Sequence, residues 1–131
     1  MGLNRNPEQL YNLSSRKFEE LIASIMKDFG YDVELTKATR DGGRDIIAYI
    51  ENAVTKYLTY IECKRYAEDN KVGISIVREV IGVHTSDNPN KSLIVTTSYF
   101  TRDAQELAKK FENSMDLRDF NDIKTWLKNY N

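Results

Sequence analysis

The sequence predicts an α/β domain, a mixed central sheet flanked by helices on both faces, and three observations lead there. From Ser14 to Gly30 apolar residues recur at helical spacing, whereas 31–36, 45–51 and 57–66 carry β-branched and aromatic residues in short runs divided by turn signals. Helix-patterned and strand-patterned stretches then alternate to the end, giving the order αβββαβαβα, which puts helices on both sides of a mixed sheet. Finally, 131 residues with 40% apolar content suit one domain with a real core.

Each element has its own signal. Residues 1–12 are polar, include Pro7 and read as a lead-in or linker remnant, so the single domain is expected over 13–131. Ser14 caps the first helix, Leu13 and Phe18 have the spacing of a hydrophobic staple, and Gly30 ends it. Phe18, Leu21, Ile22, Ile25, Met26 and Phe29 form its buried stripe; at about 100° per residue Glu19 lies at the edge of that stripe and Glu20 points away. Asn52 and Ala53 fall between the second and third strands, which should pair as an antiparallel hairpin. Ile74–His84 is a second helix through Ile76, Val77, Val80, Ile81 and His84. Leu93–Thr97 suits a buried central strand, Thr101–Phe111 a third helix and Met115–Leu117 a short strand. A last helix from about Asp119 buries Phe120, Ile123, Trp126 and Leu127.

Composition narrows the function classes. There is no apolar stretch long enough to cross a bilayer and no basic-then-apolar start of a secretory signal, so a cytoplasmic location is expected, with no membrane partner. The lone Cys63 permits no internal disulfide, which suits a reducing compartment. A formal charge of −1 lacks the basic excess usual for a DNA-binding domain, yet phosphate binding depends on local clusters.

Two strand-like segments carry the chemistry: Asp45-Ile46-Ile47-Ala48 and Ile61-Glu62-Cys63-Lys64. The first follows a tight-turn signal, Asp41-Gly42-Gly43, so Asp45 sits where a loop becomes a strand. In the second, Glu62 and Lys64 share a face because strand side chains alternate, and Cys63 points the other way. Mg2+ binds through one or two carboxylates together with carbonyl, water and phosphate oxygens, with Mn2+ as a substitute. Asp45 and Glu62 supply two such carboxylates and the backbone carbonyl of Cys63 a third oxygen. The ammonium of Lys64 would orient a water or offset charge on a phosphate. Basic residues gather nearby: Lys37, Arg40 and Arg44 before the site, Arg65, Lys71 and Arg78 after it. Of these, Arg40, Arg44, Arg65 and Arg78 are the candidates to touch DNA.

The segments FEELIASIMKDFGYDVE, DGGRDIIAYI, YIECKRY, VGISIVREVIGV and LIVTTSYFTRDAQELAKKF, in that order, resemble the catalytic domain of Mrr-type restriction endonucleases, within the PD-(D/E)XK nuclease superfamily. An Asp followed by Glu-x-Lys is weak alone; the full set, from about Phe18 to Trp126, is much more specific. The resemblance implies a restriction-endonuclease-like αβββαβ core and Mg2+-dependent hydrolysis of DNA phosphodiester bonds. It makes Asp45 and Glu62 the metal-binding acids, Lys64 the catalytic lysine and Glu19, in its Phe-Glu pair, the acid of the first helix. Arg44 stands where the superfamily's name has Pro, and Glu62 where many members have Gln. Restriction of foreign or modified DNA is implied, with recognition by a separate domain or subunit. One such site cuts one strand, which favours a homodimer. A Holliday-junction or branched-DNA nuclease is the alternative enzyme, and a non-catalytic DNA-binding module the alternative from another class.

Other conspicuous residues have simpler expected roles. His84 packs or caps at a helix end, since no second His or Cys lies at ligand spacing. Tyr49, Tyr57, Tyr60 and Tyr66 pack on the sheet. Thr96, Thr97 and Ser98 either touch phosphate or join Thr101 in capping the helix that follows.

Overall fold

The computed structural model describes residues 6–36 and 44–129, and its first element is a short 3-10 helix, Pro7–Asn12. Pro7 at its start has no N–H to leave unsatisfied. Leu10 is fully buried, and the Tyr11 ring lies 5.3 Å from that of Phe120. This corrects the lead-in expected over residues 1–12: the part from Pro7 packs into the domain, with Leu10 in the core cluster and the half-buried Tyr11 against Phe120, more than a hundred positions away in sequence.

Helix α1, Ser15–Asp28, begins at Ser14, whose side chain accepts the Lys17 N–H at 3.1 Å. It ends in a Schellman motif: Gly30 at φ 102° donates to the Lys27 carbonyl (3.0 Å) and Tyr31 to that of Met26 (3.1 Å). Strands β1 (Asp32–Leu35), β2 (Ile46–Glu51) and β3 (Lys56–Lys64) form an antiparallel meander, with Asn52 Oδ1 holding the N–H groups of Val54 and Thr55 in the hairpin turn. The chain then crosses by α2 (Ile74–Asp87) to β4 (Lys91–Thr96), and by α3 (Arg102–Lys110) to β5 (Met115–Arg118), both parallel to their neighbours. Helix α4, Phe120–Asn129, closes the described chain; Asp119 and Asp122 cap it reciprocally, each carboxylate accepting the other's N–H.

The sheet order is β1-β2-β3-β4-β5, mixed as predicted, and the core splits into two layers. Alternation along β2, β3 and β4 sends Ile46, Ala48, Ile61, Cys63 and Val95 into one cluster beneath α1 and α4. Ile94 and Met115 point the other way, into a cluster beneath α2 and α3 with Val77, Val80, Ala104 and Ala108. No helix among the described residues is long and apolar enough to cross a membrane.

Candidate active site

The site forms where β2 and β3 stop pairing. Their last ladder pair at this end is Ile46↔Ile61, and the next residue outward on each strand is an acid, Asp45 and Glu62. Asp45 is fixed on every side: its N–H donates to the Ile61 carbonyl (2.7 Å), and its carbonyl accepts from Thr36 through N–H (2.9 Å) and Oγ1 (3.1 Å). Its carboxylate Oδ2 accepts the Cys63 N–H at 2.7 Å, taking the place of the missing ladder partner.

Glu62 is 2% exposed. Its Oε2 lies 3.1 Å from Lys64 Nζ, while Oε1 is buried with no hydrogen-bond partner. Burial, reinforced by the nearby Asp45 charge and opposed by Lys64, pushes the Glu62 carboxyl up to about 7. Burial alone would lower the Lys64 pKa, but the Glu62 charge and hydrogen bond outweigh it, and the ammonium is held above its ordinary value.

Glu19 comes to the same cleft from α1. Burial and the Asp45 charge raise its pKa, against Arg16, whose Nη1 holds it at 3.0 Å. Glu20 instead pairs with Lys17 at the surface, 3.3 Å away. Together Glu19, Asp45, Glu62, Cys63 and Lys64, with Ser15, Arg65 and Tyr66, line a cleft of about 250 Å³.

The Cys63 thiol is buried in the α1 layer, where burial and then Asp45 push its pKa up, so it is an inert core group. Its carbonyl is differently placed. Backbone groups of successive strand residues face opposite neighbours. The Lys64 carbonyl is taken on the β4 side by Thr97 N–H (3.2 Å) and Thr96 Oγ1 (2.7 Å), so that of Cys63 faces the β2 side, beyond the last ladder pair and beside Asp45.

The basic candidates scatter. Arg44 reaches to the α2 side, where Nη1 pairs with Asp87 at 2.7 Å and the guanidinium lies 5.1 Å above the Tyr60 ring. Arg78 is exposed on α2. Arg65 stays at the cleft, with Nη1 donating to the Tyr11 carbonyl at 3.3 Å. Arg40, Lys37 and the Asp41-Gly42-Gly43 turn lie outside the described residues. Among the simpler assignments, His84 Nδ1 lies 2.8 Å from Ser92 Oγ, and Thr101 alone of the threonines caps α3, accepting the Ala104 N–H. Thr96, Thr97 and Ser98 take no part in that cap and instead bond the carbonyls of Lys64, Tyr66 and Glu68.

Sequence reasoning missed Arg16 and Thr36. Arg16 holds Glu19 and donates to the Thr36 carbonyl at 2.8 Å, and Thr36 in turn holds Asp45. No pattern joins two residues twenty positions apart, although an Arg three residues before a functional Glu on a helix is a geometric hint.

A five-stranded mixed sheet with two acids and a lysine at the end of its antiparallel meander is the framework of a restriction endonuclease. Consistent with that, the family model of the Mrr restriction endonuclease catalytic domain matches residues 10–127, and the chain belongs to this family. It is 26% identical over 110 residues to the type IV methyl-directed restriction enzyme EcoKMrr of Escherichia coli K12, covering 80% of this chain and 35% of that protein. It is 28% identical over 104 residues to the uncharacterized protein y4cE of Sinorhizobium fredii, covering 78% of this chain and 26% of the other. Among solved structures, the DNA modification-dependent restriction endonuclease AspBHI superposes with a TM-score of 0.77 at 25% identity, over 98% of this chain and 34% of that one. The restriction endonuclease MspJI, in complex with a 27-mer oligonucleotide, shares the fold with a TM-score of 0.75 at 18% identity, over 97% and 30%. The chain thus spans about a third or less of these relatives.

Proposed function

We propose that this chain is a Mg2+-dependent endonuclease that hydrolyses DNA phosphodiester bonds. The observation that carries the reading is Glu62 Oε1: a buried carboxylate oxygen without a partner, next to Asp45 and below Lys64. An unpaired buried acceptor costs about 1–3 kcal/mol, and a cation at that spot removes the cost. The donor set suits a hard cation. Among the described residues no three His, Cys, Asp or Glu side chains group to hold a metal, so the proposed ion would depend on water and substrate oxygens to complete its shell.

Asp45, Glu62 and the Cys63 carbonyl would hold the ion. When bound, it supplies charge to polarise the scissile phosphate and to acidify a neighbouring water. Lys64, kept charged by Glu62, orients the attacking water and offsets the charge that develops on the phosphate. Glu19 stands across the cleft to hold a second water, its carboxylate steadied by Arg16. Arg65, on the cleft wall, contacts the DNA backbone.

Methyl-directed and modification-dependent restriction by EcoKMrr and AspBHI supports cleavage of modified DNA as the role of this chain. Those relatives are much longer, which supports recognition by a separate domain or subunit. One cleft cuts one strand, so a homodimer would make the double-strand break. The discriminating experiment compares methylated duplex, unmethylated duplex and four-way junctions of equal length, each with Mg2+ and with EDTA. Preference for methylated duplex is expected. Preference for the junction would replace restriction by a branched-DNA role, and binding without cutting would leave a non-catalytic module.

A further inference from the structure

Beyond Lys64 the backbone pairing of β3 with β4 ends at Lys64↔Thr96, yet the two segments stay joined by side chains. Thr96 Oγ1 donates to the Lys64 carbonyl (2.7 Å), Thr97 Oγ1 to that of Tyr66 (2.6 Å) and Ser98 Oγ to that of Glu68 (2.9 Å). Three consecutive hydroxyls thus take every second carbonyl of the departing chain. Thr96 Oγ1 also accepts the Ser98 N–H at 3.0 Å, which ties the first and third of these residues together. All three residues are fully buried, where these bonds are their route to satisfying a polar group.

The geometry points to Thr96, Thr97 and Ser98 as positioning residues for the proposed cleavage: a hydroxyl ladder that fixes the root of Lys64 and the Arg65–Tyr66 wall of the cleft against the buried strand β4. This rests on the nuclease reading for its functional consequence. Burial alone explains why each hydroxyl has a partner. It does not explain why three polar side chains occupy a buried strand end where Val or Ala would avoid the desolvation cost, nor why their targets are the lysine and the wall beside it. A lysine that must meet a phosphate to within a fraction of an ångström needs its backbone held, and Lys64 is the last residue that the β3–β4 ladder pairs, with the chain beyond it held by the hydroxyls. Thr96 and the N–H of Thr97 converge on the Lys64 carbonyl itself.

The test pairs Thr96→Val, which keeps the shape and removes the hydroxyl, with Thr96→Ser, which keeps the hydroxyl. In Mg2+-dependent DNA cleavage the Val variant is expected to lose about 10- to 100-fold in kcat, with KM and Mn2+ affinity unchanged, while the Ser variant restores most of the loss. Equal impairment of both, or wild-type kcat in the Val variant, would overturn the ladder's role. Amide order parameters of Arg65, Tyr66 and Ala67 provide a second readout that needs no activity and no Thr96 variant. They should be near 0.85 in the wild type and drop toward about 0.6 in Thr97→Val or Ser98→Ala. Unchanged order in both variants would refute the ladder even in an inactive protein, whereas loss of order in the variants of a protein whose wild type cuts no DNA would refute only the nuclease reading.

Discussion

Glu62 carries opposite demands of folding and function. A carboxyl held at about 7 when folded, against an ordinary 4.5, binds more protons in the folded than in the unfolded chain between those values. The stability of the metal-free protein therefore falls as pH rises through that window and levels off above it, by up to about 3 kcal/mol from the shift alone. Urea denaturation in EDTA at pH 5 and pH 8 should show the higher midpoint at pH 5 for the wild type, with the difference largely lost in Glu62→Gln. The same substitution should stabilise the metal-free protein at pH 8 while abolishing cleavage. Removing the Lys64 ammonium takes away the charge that opposes Asp45 and burial at Glu62, so Lys64→Ala should lower kcat about 100- to 1,000-fold, measured in steady-state cleavage. These three residues were legible because strand alternation and one turn signal are local facts. Arg44 was not: its place is set by Asp87, forty-three positions away, and sequence proximity to Asp45 said nothing about the face it would choose.

At the scale of elements, boundaries were legible wherever a side chain or a glycine sets them. Ser14, Gly30 and Thr101 act at the positions their chemistry suggests. Ser14→Ala should cost about 1 kcal/mol in chemical denaturation. Gly30→Ala should cost about 1–2 kcal/mol, from the positive-φ backbone rather than from a clash, since a Cβ there would meet nothing. The misreadings have physical causes. Helix α2 was expected to stop at His84 but runs to Asp87; the signal was Asn88, left-handed at φ 57° and followed by Pro89, a C-terminal pair that the apolar periodicity overshadowed. Strand β3 was expected to reach Tyr66 but ends at Lys64, since hydroxyls replace the backbone ladder there. The 3-10 helix went unread because one buried Leu makes no periodicity.

Across the whole molecule, the order of elements was enough to predict a mixed sheet with helices on both faces, and the meander followed by two parallel crossovers brings every proposed catalytic group to one end of β3. Supports converge there from several directions: Arg16 from α1, Thr36 from the end of β1, the Cys63 N–H from β3, and the Thr96–Ser98 hydroxyls from the end of β4. The fold holds an acid pair together before any cation offsets its repulsion, so ligand linkage should be pronounced. Free Mn2+ at about a hundredfold over its dissociation constant should stabilise the wild type by about 2.7 kcal/mol and Asp45→Ala by much less, as thermal denaturation would show. With a net charge of −1, the proposed DNA binding would rest on the cleft rather than on the surface as a whole. The most direct test of the proposed site is conversion of supercoiled plasmid DNA, methylated and unmethylated, to nicked and linear forms by wild type, Asp45→Ala and Lys64→Ala with Mg2+, Mn2+ or EDTA. Metal-dependent cutting by the wild type, abolished by EDTA, lost in Asp45→Ala and slowed at least about 100-fold in Lys64→Ala, is the predicted result; cutting at the wild-type rate by either variant, or cutting that proceeds in EDTA, would contradict it.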